Sequence, residues 1–139
     1  GRAQGARRVE KAFERVRESH RSVSGVADAL EGLLDAPGAL GAAFIDPQGE
    51  IIARVGDESA TEVLGAYQSV WLGELRRAAE RSGLGEISDL SFQFASRRIL
   101  TTHVKAGYFV LIVFDEGGQP YAARRRLDEA RARLVAEIS

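Results

Sequence analysis

The chain of 139 residues contains no cysteine and no methionine, and lysine supplies only two of its 19 lysine and arginine residues. Without cysteine, disulfides and thiolate metal sites are excluded, and the absence fits a reducing, cytoplasmic location. Without methionine, Gly1 cannot be an encoded start, so we expect a processed chain or a part of a longer protein. The surplus of arginine fits a GC-rich genome.

Long apolar runs are also missing, and charge of one sign does not dominate. No run approaches the roughly 18 residues that a membrane span needs, so we expect no membrane partner. Residues 1–21, 22–123 and 124–139 carry net charges of +4, −7 and +2. An acidic body with basic ends argues against a nucleic-acid partner, which would need a broad basic face.

The apolar periodicity of the chain predicts alternating helices and strands. Helices are expected at residues 5–21, 25–35 and about 59–82, and after Pro120; strands are expected at 40–46, 50–55, 88–95, 99–105 and 108–114. Connections of hairpin length make the sheet antiparallel, and helices must cover both of its faces. The fold class is therefore α+β, with a helical extension or linker at residues 1–23 and one domain at 24–139.

Three local patterns fix details of this fold. The turn from Asp46 to Gly49 predicts a hairpin, and Ser59 with Glu62 matches a capping box that opens the third helix. The strand at residues 108–114 is almost wholly apolar, which predicts a central position covered on both faces.

The third helix carries a row of small residues. On a helical wheel its core side is expected to hold Leu64, Tyr67, Trp71, Leu75 and Ala78. Gly65, Ser69 and Gly73 fall on the other side, although a glycine inside a helix costs about 1 kcal/mol relative to alanine. The row indicates either tolerated surface glycines or, as we expect, the close approach of another helix.

Residues that could perform chemistry are sparse. His20 and His103 lack a second ligand at metal-binding spacing, and no nucleophile or phosphate-loop motif is present. We therefore expect no enzyme, no catalytic residue, no metal and no cofactor. The triple Arg124-Arg125-Arg126 indicates a solvated face, with an acidic partner surface as the alternative.

The segments ALGAAFIDPQGEIIARVG and ILTTHVKAGYFVLIVFDEGGQPYAARRRLDEARARL, with a small-residue helix between them, resemble the Roadblock/LC7 family. The resemblance covers about residues 24–138. It implies a profilin-like five-stranded antiparallel sheet and a homodimer formed through the third strand and the middle helix. It also implies a small Ras-like GTPase as partner, as for the family's bacterial regulators. The helix at residues 5–21 departs from the minimal pattern.

The resemblance assigns two sets of residues on the middle helix and the third strand. Expected contacts with the GTPase are Glu62, Gly65, Ser69, Gly73, Arg76 and Glu80. Expected contacts with a second copy of the chain are Val63, Ala66, Val70, Ser91, Phe92, Gln93 and Phe94. Two alternatives stay open: a structural light chain or adaptor indifferent to nucleotide, and a small-ligand sensor of the PAS or GAF type. In the sensor, Tyr67 and Trp71 would line a cavity.

Overall fold

The computed structural model describes residues 25–138, except for the side chains of residues 62–69. The expected helix at residues 5–21 and the extension at residues 1–23 lie outside the described part. Helix α1 spans residues 25–31 and continues into a 3₁₀ turn, Gly32–Asp35. The remaining elements are β1 (Ala39–Ile45), β2 (Ile51–Gly56), α2 (Glu58–Arg81), β3 (Asp89–Gln93), β4 (Arg97–Lys105), β5 (Tyr108–Asp115), a second 3₁₀ turn (Pro120–Ala123) and α3 (Arg124–Glu137).

The five strands form one antiparallel sheet in the order β2-β1-β5-β4-β3. Strand β5 lies at the centre, and the side chains from Phe109 to Phe114 are all buried. The central position expected from its apolar sequence is therefore confirmed. Strands β2 and β3 form the two edges.

Helices cover both faces of the sheet, as the sequence predicts. On one face α1 and α3 bury the larger apolar cluster, which includes Leu30, Phe44, Ile112 and Leu134. On the other face α2 lies over a smaller cluster of Ile45, Ile99, Leu111 and Val113. The α+β sandwich is thus observed, with unequal amounts of packing on its two sides.

Helix α2 begins earlier than the sequence pattern predicts. Its N-cap is Asp57, whose carboxylate accepts hydrogen bonds from the backbone N–H of Ser59 (3.0 Å) and from its hydroxyl (2.8 Å). The predicted capping box at Ser59 is therefore wrong, because Ser59 already lies in the first turn and donates to the cap. The predicted end is confirmed: the helix stops at Arg81, and Gly83 follows with a φ of 70°.

The Asp57 cap makes a pH-dependent contribution to stability. The hydrogen bond from the Ser59 hydroxyl, followed by backbone hydrogen bonds and the charge of Arg97, holds the pKa of Asp57 below its ordinary 3.8. A carboxyl whose pKa is lower in the folded than in the unfolded state stabilises the fold at pH values above its unfolded-state pKa. This contribution is lost as the pH falls through the folded-state pKa.

We expect Asp57→Ala to lower the melting temperature by roughly 3–5 °C at about pH 7, because the backbone N–H and the hydroxyl of Ser59 lose their acceptor. The difference from wild type should shrink below about pH 3.8, and circular dichroism melts across this range measure it. Asp57→Asn, which keeps an acceptor oxygen, is the control. A difference that is equal at all pH values would contradict the assigned role of the carboxylate.

The side of α2 that faces the sheet differs from the prediction. Leu72 and Ala79 are buried at 5% and 8% exposure, whereas Trp71 and Leu75 are each 40% exposed. The core side is therefore rotated away from the predicted Trp71–Leu75 stripe. The physical reason lies at the start of the helix, where the buried side chain of Thr61 packs against Gly41 of β1. A Cβ added to Gly41 would lie only 2.7 Å from the Thr61 Cγ2 atom, so this contact fixes which side of the helix faces the sheet.

Candidate protein-interaction surface

An aromatic cluster joins α2 to the edge strand β3. The Trp71 ring lies 5.5 Å from that of Phe92 and 6.3 Å from that of Phe94, measured between centroids, and the two phenylalanines are 6.4 Å apart. These separations are typical of favourable aromatic pairs. Trp71 therefore holds α2 to the edge of the sheet and does not occupy the core.

Around this cluster lies an exposed apolar surface. Six large apolar side chains are exposed in the described part of the chain, and five of them lie on α2, β3 or the segments beside them. We define the apolar surface as Val70 (63% exposed), Trp71 (40%), Leu75 (40%), Leu84 (78%) and Phe94 (42%). A concentration of this kind marks an interaction site more often than scattered exposed residues do.

A cavity extends the apolar surface toward the end of α2. It has a volume of about 570 Å³ and lies between the last turns of the helix and residues 82–90. Leu75, Leu84, Ile87 and Leu90 supply much of its lining. The surface is thus concave at one end, which suits insertion of an apolar side chain from another molecule.

Strand β3 adds an open backbone edge to the same region. It pairs with β4 on one side, and no described strand pairs with its other side. Its five residues contain no proline and a single charge, Asp89, so few of the usual devices protect this edge. An unprotected edge beside exposed aromatic groups favours pairing with another strand.

A second recess lies on the opposite flank of α2. It measures about 370 Å³ and is bounded by the β1–β2 turn, the helix and Gly107 of the β4–β5 turn. Val70, Gly73, Arg76 and Arg77 line its helical wall. We call this recess the Gly73 cleft.

The space beside Gly73 in the Gly73 cleft is open. A Cβ added at Gly73 would meet only an Arg77 Nη atom, at 3.9 Å. Arg76 lies with its guanidinium carbon 5.9 Å from the centre of the Phe109 ring, a cation–π contact that holds its charge at the cleft. Arg77 forms an ion pair with Glu74.

The structure thus brings together only part of the predicted site. Gly73, Arg76 and Val70 share the Gly73 cleft, and Phe92 and Phe94 share the aromatic cluster. Glu80 is exposed on α2, and Ser91 and Gln93 are exposed on β3. Nothing is described for five further predicted side chains, so their roles remain predictions: Glu62, Val63, Gly65, Ala66 and Ser69.

Sequence reasoning missed three members of the apolar surface. Trp71 and Leu75 were expected in the core, and Leu84 was not singled out in the sequence. The available signal was Leu84 itself, an apolar residue between two glycines that both have positive φ, at 70° and 83°. In this loop the Leu84 side chain is 78% exposed.

The arginine triple and His103, which the sequence also offered as candidate functional residues, make contacts typical of a protein surface. Arg124 pairs with Asp89 (3.3 Å) and Asp128 (3.5 Å), and Arg125 pairs with Glu129 (3.7 Å), which favours the solvated-face interpretation of the arginine triple. The imidazole of His103 is partly exposed, and its Nε2 accepts a hydrogen bond from the Gly107 N–H at 3.2 Å. Among the side chains that the structure describes, no three histidine or acidic groups converge as a metal site would require.

Comparison with solved structures identifies the fold. Myxococcus xanthus MglB superposes with a TM-score of 0.75 at 17% sequence identity, over 84% of this chain and 89% of that one. A Roadblock/LC7 domain from Streptomyces avermitilis gives 0.72 at 14% identity, over 81% and 96%. Acanthamoeba castellanii profilin IB gives 0.53 at 15% identity, over 78% and 94%.

These likenesses establish a fold class. The chain has the Roadblock/LC7 fold, with the profilin-like sheet that the sequence resemblance implies, and that expectation is confirmed. No family model and no curated protein sequence matches the chain. Among the described helices, none has both the length and the apolar content needed to cross a membrane.

Proposed function

We propose that the chain is a non-catalytic regulator or scaffold that forms a homodimer and binds a small Ras-like GTPase through α2. The observation that carries the proposal is the apolar surface, because five exposed large side chains are gathered at one helix and one sheet edge. The Roadblock/LC7 fold, shared with MglB, supports the same class of function.

The dimer is the first step of the proposal. Pairing of β3 with its copy would satisfy the open backbone edge and extend the sheet across two protomers. The same approach would cover Trp71 and Phe94, whose burial is favourable by about 25 cal/mol for each Å² removed from water. An isologous contact of this kind closes on itself, so it yields a dimer and not a filament.

The GTPase contact is the second step. The Gly73 cleft lies on the flank of α2 away from the aromatic cluster, so it stays accessible in the proposed dimer. The missing side chain at Gly73 allows another backbone to come close, and Arg76 supplies a charge beside it. Such a regulator needs no catalytic group of its own, because binding one conformation of the GTPase shifts its population.

Affinity capture in two nucleotide states tests this proposal. The chain is immobilised and incubated with lysate of its source organism, once with a non-hydrolysable GTP analogue and once with GDP. We expect mass spectrometry to find a small GTPase enriched in one of the two states. Absence of any GTPase from both would contradict the proposal.

Equal capture of a GTPase in both states would favour the second candidate, a nucleotide-independent adaptor. The exposed apolar surface suits an adaptor as well, because it requires a protein partner and specifies no nucleotide. The sensor alternative is weakened by the position of Trp71, which packs against Phe92 and Phe94 and is 40% exposed at the surface.

A further inference from the structure

A groove of about 540 Å³ lies on the face of the sheet opposite to α2. Its floor is formed by β3 and β4, including Ser91, Gln93 and Leu100, and its roof by Pro120 and Tyr121 of the second 3₁₀ turn. The groove exists because α3 and this turn pack on β4 and leave the edge strand β3 uncovered. Its volume falls in the range of roughly 300–1,000 Å³ that is typical of small-molecule sites.

Arg98 supplies a charge in this groove that no carboxylate of the described residues pairs with. Its side chain is partly buried, and one Nη atom donates a hydrogen bond to the backbone carbonyl of Gly118 at 2.9 Å. Because a guanidinium carries five N–H donors, several remain for an anion, and a partly buried cation gains more from pairing than a fully solvated one.

The other charged groups of the groove already have partners. Asp89 accepts a hydrogen bond from the Thr102 hydroxyl at 2.8 Å and pairs with Arg124 at 3.3 Å. Arg124 also pairs with Asp128. The nearby acid is therefore committed to two donors, and Arg98 is the charge whose partner is missing.

The apolar walls define the rest of the ligand. Leu100 and Pro120 face the groove, and Tyr121 stands at its mouth with 96% of its surface exposed. A planar apolar body would lie against these groups, while its carboxylate would meet the planar guanidinium with two parallel hydrogen bonds.

We propose that the groove between β3–β4 and the second 3₁₀ turn binds a small organic acid with a flat apolar body, whose carboxylate pairs with Arg98. This site lies on the face of the sheet opposite to α2 and is separate from the proposed GTPase contact, while its floor shares strand β3 with the proposed dimer edge. It needs neither contact in order to form.

A nuclear magnetic resonance titration of the nitrogen-15-labelled chain with phenylacetate tests the proposal, and phenylacetamide serves as the uncharged comparison. At up to about 10 mM ligand, the range of weak binding, we expect phenylacetate to shift the amide signals of residues 91–93 and 98–100 and of Gln119 and Tyr121. The amide should bind at least about tenfold more weakly, because it lacks the charge that Arg98 pairs with.

Arg98→Gln should weaken phenylacetate binding at least about tenfold, because the charge-assisted pair is lost. Arg125→Gln is the matched control and should bind normally, since Arg125 is 94% exposed on α3 and pairs with Glu129. Tyr121→Ala is a second variant that cannot disturb the core, and it should also weaken binding. Equal binding of acid and amide, unchanged binding by Arg98→Gln, or no shifts in these segments would overturn the proposal.

Discussion

Phe94→Asp is expected to convert the protein from a dimer to a monomer. The ring of Phe94 is 42% exposed, stacks on Trp71 and Phe92, and stands at the end of the open edge strand. In the proposed dimer it is buried, so the substitution would place an unpaired carboxylate inside an apolar contact. Burying such a charge without a partner typically costs several kcal/mol, enough to weaken association at least about a hundredfold.

Analytical ultracentrifugation measures the effect directly. Wild type should sediment at 30.2 kDa, twice the protomer mass of 15.1 kDa, and the variant at 15.1 kDa. Ala132→Asp, a similar exchange at an exposed site on α3, should remain a dimer. Leu75→Glu tests the same surface from α2, where the side chain is 40% exposed beside Trp71 and lies outside the Gly73 cleft. A wild-type mass of 15.1 kDa, or variants that stay dimeric, would contradict the proposed interface.

Gly73→Leu is expected to reduce capture of the GTPase at least about tenfold while leaving the fold intact. The new side chain would extend into the Gly73 cleft, where the nearest atom to its Cβ is an Arg77 Nη atom at 3.9 Å. It therefore fits within the protomer but occupies the space that a partner backbone would need. A tenfold loss of affinity corresponds to about 1.4 kcal/mol of binding free energy.

The same substitution should raise the melting temperature, because leucine favours a helix over glycine by somewhat under 1 kcal/mol. Weaker binding combined with greater stability would separate a blocked contact from a damaged fold. Gly32→Leu is the matched control: Gly32 is exposed on the opposite face, and an added Cβ there would meet no atom within 4 Å. Undiminished capture by Gly73→Leu would remove the Gly73 cleft from the proposal.

Much of the fold could be predicted because it is encoded locally. The β1–β2 hairpin is an example: Asp46 accepts hydrogen bonds from the backbone N–H groups of Gln48 and Glu50, both at 2.9 Å, and Gly49 has a φ of 86°. These interactions involve neighbouring residues and leave a signature in the sequence. The buried strand β5 is equally visible, since a run of apolar side chains can be covered only at the centre of a sheet.

The orientation of α2 could not be predicted in this way. Its apolar residues span a wide arc, so the wheel allows either Trp71 and Leu75 or Leu72 and Ala79 to face the sheet. The observed choice depends on the contact between Thr61 and Gly41, which are 20 positions apart in the chain. Arg98 illustrates the same limit, because its bond to Gly118 and its missing carboxylate partner depend on how the second 3₁₀ turn folds over β4.

The central claim is that a second copy of the chain pairs at the β3 edge, and an electron-resonance distance measurement tests it most directly. The chain has no native cysteine, so Ser91→Cys on exposed β3 carries one nitroxide label per protomer. Any dipolar signal must then come from a second copy. Paired strands lie about 4.8 Å apart, and a five-residue strand is about 17 Å long. Whatever the register of the two paired β3 strands, the two nitroxide groups, including the linkers that attach them, should therefore lie less than about 30 Å apart.

We predict a distance below about 30 Å for the Ser91 label, and a longer one for a label at Ala132→Cys, which is exposed on α3 and lies outside the paired strands. A sample without dipolar coupling at Ser91, or a shorter distance at Ala132 than at Ser91, would contradict the interface.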